Sequence, residues 1–464
     1  CMATVPTRDA AWTWVSAITS TIRAYDSSRP IVSGMHGGLD LWPPETLGEL
    51  TDLLTTHPYP IWTAHCDQDP VNTMRTILHS TAESLFYAGV GGKPCLAEEL
   101  GTLGPFIASD EIAADFVRSC LFSLWAHNCQ GLLWWCAYDQ EHLSNAPYDW
   151  NTCERELGLF RSNREAKPVI NELSSYHGFL DSLPFDKLPP HPTEAVCLLS
   201  QDQDQWGVAY SAYILARQAG FEMEFQSAEQ PLKPAGLYLV PSVRGVNVVS
   251  RRRWLELLER VNQGATLYLS LDDAILAGFL ETFGLKPLTR RRRSSPVQLM
   301  IPGIGPFTIN TAFHLTFEPA GATILGREAD ENPAFTCFGY GKGQVYFLSV
   351  PIERVLTETP GAFNDQFAQP WWKLYRLVAK EFLARRAVRK EDPLLGITEH
   401  ALSDTKRMIV AINYSPAPLS SAAELDQGWK PGITWRGNLK VEQNKMMIFI
   451  PANDAVVFEI ESKP

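Results

Sequence analysis

The chain has 464 residues, 45% hydrophobic and 20% charged, which is the balance of a folded globular protein and not of a disordered one. A formal net charge of -12 argues against a nucleic-acid partner, because phosphate binding needs basic surface. No apolar run reaches the roughly 18 residues that would read as a membrane span, and the length calls for two or three domains.

From the N-terminus to about residue 185, helix-like and strand-like segments alternate. Ala11, Val15, Ile18 and Ile22 recur at helical spacing. Arg29-Pro30 leads into a short strand over Ile31–Met35, and a second strand is predicted over Asp52–Tyr59. A helix follows from Val71 to Tyr87 and is closed by Gly91-Gly92. The third strand spans Pro94–Glu99, and its helix covers Ser109–Ala126 with Ser109 or Asp110 as cap. Gln130–Cys136 reads as a fourth strand, and a last helix carries Val169, Leu173 and Tyr176 and ends near Gly178. Four strand–helix units make half of a (β/α)₈ barrel. A doubly wound open sheet is the alternative, disfavoured because no glycine-rich phosphate loop follows any of these strands. Half a barrel would leave two open edges. The chain also opens on Cys-Met-Ala-Thr, in mid-fold and without a signal peptide. The expectation is that the first four units lie upstream of Cys1.

The proline-rich stretch Leu183–Pro192 reads as a linker. A new α/β pattern follows, with strands at Ala195–Leu199, Gly236–Pro241, Ala265–Leu271 and Val345–Leu348. Its helices are expected at Gly207–Gly220, Ser250–Gln263 and Gln366–Arg386. Beyond Asp392 the chain turns β-rich, with strands at Arg407–Asn413, Lys445–Ile450 and Ala455–Ile460, a small sandwich. The expected domains are thus 1–185, 193–390 and 391–464. The run Arg290–Arg293 is expected in a solvated loop. Nine cysteines at irregular spacing point to reduced thiols and a cytoplasmic protein.

The chemistry concentrates in Lys93-Pro94-Cys95-Leu96-Ala97-Glu98-Glu99-Leu100-Gly101, where a short strand delivers carboxylates to its C-terminal end. Barrel enzymes place their active sites at that end of the strands. Glycoside hydrolysis with retention uses two carboxylates about 5–5.5 Å apart, one as nucleophile and one as acid/base. Strand alternation puts Cys95, Ala97 and Glu99 on one face and Leu96 and Glu98 on the other. The bulk of Leu96 suits the helix side, which leaves Glu99 inward and Glu98 outward. His57 and Tyr59 share a face at the end of the second strand, and a tyrosine hydroxyl there can hold a carboxylate ionised and oriented. Trp134 or Trp135 could floor a sugar ring. The loop with Asp139 and Trp150 adds acceptors and flat faces suited to sugar hydroxyls and rings.

On these residues, 1–185 resemble the C-terminal half of a clan A glycoside hydrolase barrel close to family 5. His57-Pro58-Tyr59 fits the motif after the sixth strand of such barrels, Glu99 in Glu-Leu-Gly the nucleophile after the seventh, and Trp135 the tryptophan of the eighth. Leu100 stands where the family often has an aromatic. The Asn-Glu acid/base after the fourth strand is not found in residues 1–52, and Asn171-Glu172 lies on a late helix. The middle region, through Leu237–Ser242, Gly264–Leu267 and Tyr340–Val345, resembles the amidotransferase-like trimerisation domain of family 42 β-galactosidases, and the last segment resembles their small β-sandwich. The resemblance implies a retaining β-glycoside hydrolase of β-galactosides or β-mannosides, with Glu99 as nucleophile, Tyr59 and His57 beside it, and Trp135, Trp134, Asp139 and Trp150 around the sugar. It implies a carbohydrate substrate, no cofactor or metal, no membrane partner, and a trimer as the candidate oligomer. The competing reading is a carbohydrate-binding or scaffolding protein on a decayed barrel. An active amidotransferase would need Cys197 or Cys337 in a tight strand-to-helix turn, which neither occupies.

Overall fold

The computed structural model describes residues 7–34, 42–129, 131–146, 148–149, 153–364, 368–442 and 445–463. They form two compact units, one of Cys1–His191, Ile397–Ala422 and Gln427–Pro464, the other of Pro192–Gly396 and Ala423–Asp426. This division counts most of the C-terminal strands with the first segment.

The first unit begins with α1 (Arg8–Tyr25), whose first turn is capped by the Thr7 hydroxyl accepting from Ala10 N at 3.2 Å. A short helix α2 (Pro44–Leu50) precedes strand β1 (Leu54–Thr56). Helix α3 (Met74–Gly91) stops at Gly92, which takes the left-handed φ of 70° that a side chain would resist. Strand β2 (Cys95–Leu100), helix α4 (Asp110–Ala126), strand β3 (Leu132–Trp134) and helix α5 (Pro168–Asp181) complete the alternation. The strands pair in the order β1-β2-β3, both pairs parallel. The strand expected at Ile31–Met35 does not join this ladder, and Met35 lies outside the described residues. Ile31–Gly34 is tied beside β1 largely through side chains instead. Asp52 Oδ2 accepts from Ile31 N at 2.6 Å, and the Thr55 hydroxyl donates to Ser33 O at 2.6 Å.

The C-terminal strands form two four-stranded sheets. One sheet runs Leu395–Ser403, Lys406–Asn413, Ala455–Ser462, Trp429–Arg436, and the other includes Leu419–Leu425, Lys445–Ile450 and Asn438–Glu442. The first of these sheets and its turns pack on α4: Tyr414 donates to Ser123 Oγ at 3.3 Å, Arg118 Nε donates to Asn453 O at 2.8 Å, and Arg436 stacks over Phe122 at 5.0 Å.

The second unit contains β4 (Ala195–Leu199), α6 (Gln205–Ala219), β5 (Met223–Ser227), β6 (Leu237–Val243), α7 (Arg251–Asn262) and β7 (Thr266–Leu271). Its nine-stranded sheet starts β5-β4-β6-β7-(Gly343–Leu348), all parallel, in a doubly wound order. Antiparallel strands Pro333–Tyr340, Thr323–Glu328, Val297–Ile301 and Gly305–Ile309 extend it. Val196, Leu198, Tyr238, Val240, Leu267, Leu269 and Phe347 build the core between sheet and helices, as expected of strands buried on both faces. The arginine run is not a loop. Arg290–Arg292 end an exposed strand, Leu285–Arg292, paired with Phe313–Pro319. Arg290 and Arg292 lie over the Phe313 ring at 4.0 and 5.0 Å, so the run is solvent-exposed, as expected, but ordered by ring contacts and strand pairing.

Candidate active site

Strand β2 ends in an irregularity that decides where its carboxylates point. Its pairing with β3 runs from Ala97↔Leu132 to Leu100↔Trp134, so β2 advances one residue more than its neighbour across Glu98-Glu99. The buried positions shift accordingly, from Cys95 and Ala97 to Leu100. An extra residue of this kind breaks the alternation of side chains. Both glutamates consequently reach the same neighbour. Glu99 Oε2 lies 3.4 Å from His57 Nδ1, and Glu98 Oε2 lies 3.4 Å from His57 Nε2. The outward position expected for Glu98 is thus corrected, because strict strand parity does not survive the bulge.

Tyr59 supplies the closest contact. Its hydroxyl donates to Glu99 Oε2 at 2.8 Å, and its ring is 4% exposed, packed with Leu103 and Leu157. Burial, and next the bond to the Glu99 carboxylate, push the phenol far above its ordinary range. Tyr59 is therefore a neutral donor wherever the fold persists. Gly101, just past β2, makes the close packing possible. A Cβ there would stand 3.0 Å from Trp135 O and 3.7 Å from Tyr59 Cε1.

The two tryptophans of the β3 end separate cleanly. Trp134 packs with Ala113, Val117 and Val169 of the helix layer, and its Nε1 donates to Leu157 O at 3.2 Å. Trp135 is 37% exposed and its Nε1 donates to Glu154 Oε2 at 3.2 Å. Only Trp135 is presented outward, and the Trp135–Cys136 peptide bond is cis. Asp139 is committed to the interior. It is 3% exposed, accepts from Lys167 Nζ at 2.7 Å and from Gly158 N at 2.8 Å, and so braces the loop rather than facing a ligand. Trp150 lies outside the described residues. Sequence reasoning missed Glu154, which sits in a one-turn helix (Cys153–Arg155) 19 residues beyond the indole it fixes.

Among the described residues, one group could approach a cation: His314, Glu328 and Asp330, with ligand atoms within 4.8 Å of one another. Arg293 already donates to Glu328 Oε1 at 2.6 Å, and Arg291 Nε donates to His314 Nδ1 at 3.3 Å. Two guanidiniums already partner the group, which makes it an ion-pair cluster. Cys197 is fully buried within β4 and its thiol is pushed well up by burial, which leaves it no thiolate for catalysis. Cys337 lies within strand Pro333–Tyr340.

No family model and no curated protein matches the sequence. Solved structures do match. A catalytic mutant of a family 42 β-galactosidase from G. stearothermophilus aligns over 98% of this chain and 67% of its own, at 13% identity and a TM-score of 0.69. The β-galactosidase from a Rahnella species aligns over 97% and 66%, at 14% identity and a TM-score of 0.70. An exo-β-1,4-mannosidase from an Opitutaceae bacterium aligns over 80% and 70%, at 20% identity and a TM-score of 0.62. The chain spans about two thirds of the length of each of these. No helix among the described residues is long and apolar enough to cross a membrane. The chain therefore has a glycoside hydrolase fold, with part of a (β/α)₈ barrel, an amidotransferase-like α/β unit and a β-sandwich.

Proposed function

We propose that this chain carries the nucleophile side of a retaining β-glycoside hydrolase acting on β-galactosides or β-mannosides. The observation that carries the reading is the 2.8 Å hydrogen bond from Tyr59 to Glu99 at the C-terminal end of β2, with His57 against the same carboxylate oxygen. In this mechanism Glu99 Oε attacks the anomeric carbon, the bond from that carbon to the leaving oxygen breaks, and the leaving oxygen takes a proton from an acid. Water then attacks the same carbon and the Glu99–sugar ester breaks, returning the carboxylate. Tyr59 holds the nucleophile aimed, and Trp135, fixed by Glu154, offers a face to the sugar. Among the described residues none is assigned as the acid. Substrate class rests on the fold likeness to β-galactosidases and a β-mannosidase. A trimer built through the 192–396 unit belongs to the same reading, and light scattering on the purified chain would test it.

Glu99→Gln should lower kcat on an aryl β-mannoside or β-galactoside by at least about 10³-fold with an unchanged melting temperature. Activity within tenfold of the parent would remove Glu99 from the nucleophile's role. Because no acid is assigned, absence of turnover alone does not separate the readings; a chain that binds these sugars yet forms no covalent sugar adduct at Glu99 with an activated glycoside would favour the non-catalytic binding protein.

A further inference from the structure

Trp62 lies in the loop that follows β1, three residues past Tyr59. Its side chain is 60% exposed, although indole is among the groups most strongly drawn out of water. It stands edge-to-face with Tyr59, ring centroids 5.8 Å apart and planes at 71°. Tyr59 in turn donates to Glu99. The backbone at Trp62 has φ 75°, and His65 three residues on has φ 71°. That is the left-handed region, where a bulky residue is an outlier, and such conformations cluster at ligand clamps and active sites. The ring it displays is mostly in solvent and meets Tyr59 edge-on, which leaves it open to a group arriving from solvent.

The ligand class follows from the surroundings and rests on the glycosidase reading of Glu99. A pyranose ring presents a patch of C–H groups on its face, and an open indole is the flat apolar surface that complements it. One aromatic ring, that of Tyr59, separates the indole from the carboxylate. Trp62 is thus one contact further from the reacting carboxylate than Tyr59 is, with ring centroids 5.8 Å apart. It would meet the neighbour of the ring that Glu99 attacks, and not that ring itself.

The geometry points to Trp62 as the stacking platform for a second pyranose, making the site selective for β-linked disaccharides over simple glycosides. The strained loop sets the indole upright beside Tyr59 before the ligand arrives, which limits the ordering that binding would otherwise require.

The test reads binding alone, with sulfur-linked analogues of β-1,4-mannobiose and lactose that cannot be cleaved. The chain is labelled with 5-fluorotryptophan, and the Trp62 fluorine line is identified as the one missing from Trp62→Phe. That line is expected to shift with at least one disaccharide and to stay in place with the methyl β-glycosides. Trp62→Ala should weaken the disaccharide about tenfold and Trp62→Phe by about threefold or less, with methyl glycoside affinity unchanged. A stationary Trp62 line, equal weakening of both ligand sizes, or no disaccharide binding by the parent chain would each overturn the proposal. Should Trp62→Ala fail to fold, the fluorine line of the parent still decides. Because no turnover is read, a failed nucleophile assignment at Glu99 and a failed platform at Trp62 give different results.

Discussion

Tyr59 keeps its proton first because it is buried, and next because ionising it would place a negative charge beside the Glu99 carboxylate. Its role as a donor should therefore be insensitive to pH over the range in which the fold survives. Tyr59→Phe removes only the hydroxyl, and loss of one preorganised donor typically costs about 10²–10³ in kcat. Steady-state kinetics on an aryl glycoside should show that loss in kcat with KM little changed; an unaffected kcat would reduce Tyr59 to a packing residue. The residues of this pairing were legible in the sequence but its cause was not: the expected strand over Asp52–Tyr59 ends at Thr56, and Tyr59 N donates to His57 O at 2.8 Å, so a tight turn and not strand alternation sets the two side chains. Glu98 was not legible. Its direction depends on a bulge, and a bulge leaves no mark in the residue types at positions 97–100. Asp139 misled for a different reason. A polar residue in a loop rich in tyrosine and tryptophan looks available, but its partner Lys167 lies 28 residues away and buries it. Lys167→Met strands that carboxylate in the interior and should cost about 3–5 kcal/mol in urea denaturation. A loss under 1 kcal/mol would mean that Asp139 is not held as described.

At the scale of elements, the end of β2 works because Gly101 has no side chain. Its place between Tyr59 and the Trp135 carbonyl leaves 3.0 Å for a Cβ, closer than such contacts normally run. Gly101→Ala should destabilise the chain by about 1–3 kcal/mol through overpacking. It should also shift the Trp135 indole resonance, because the carbonyl that must give way belongs to that residue. An unchanged spectrum would show that the β2 and β3 ends are not packed as closely as described. The alternation of helices and strands was readable throughout from apolar spacing, and Lys445–Ile450 appears with the bounds expected. Strand membership was harder. Ile31–Gly34 has the residues of a strand, yet Asp52 and Thr55 side chains take bonds that a ladder would have used. In the opposite sense, Arg290–Arg292 has the composition of a loop and forms a strand because Phe313 lies beneath two of the guanidiniums.

At the scale of the molecule, buried hydroxyls recur in both units. Tyr87 in the first unit and Tyr268 and Tyr375 in the second are pushed well above their ordinary range, by burial first and by neighbouring glutamates next. Tyr268 and Tyr375 both donate to the fully buried Glu353 at 2.9 Å. A raised folded pKa means that the folded chain retains protons that the unfolded chain gives up above about pH 10. Their contribution to stability is complete below that pH and is lost as pH rises further. Absorbance at 295 nm should accordingly show only exposed tyrosines titrating near pH 10, the rest ionising together with unfolding. A single smooth titration of all tyrosines with the fold intact would contradict this. Function turns on one carboxylate, whose role can be tested without the acid that protonates a poor leaving group. A dinitrophenyl 2-deoxy-2-fluoro-β-glycoside, of the mannose or galactose series, expels a phenolate that needs no such acid. Mass spectrometry of the intact chain and its peptides after incubation should find one fluorosugar, attached to the peptide containing Glu99 and absent from Glu99→Gln. Labelling on another residue, or none under conditions in which the sugar is bound, would contradict the assignment of Glu99 as the nucleophile.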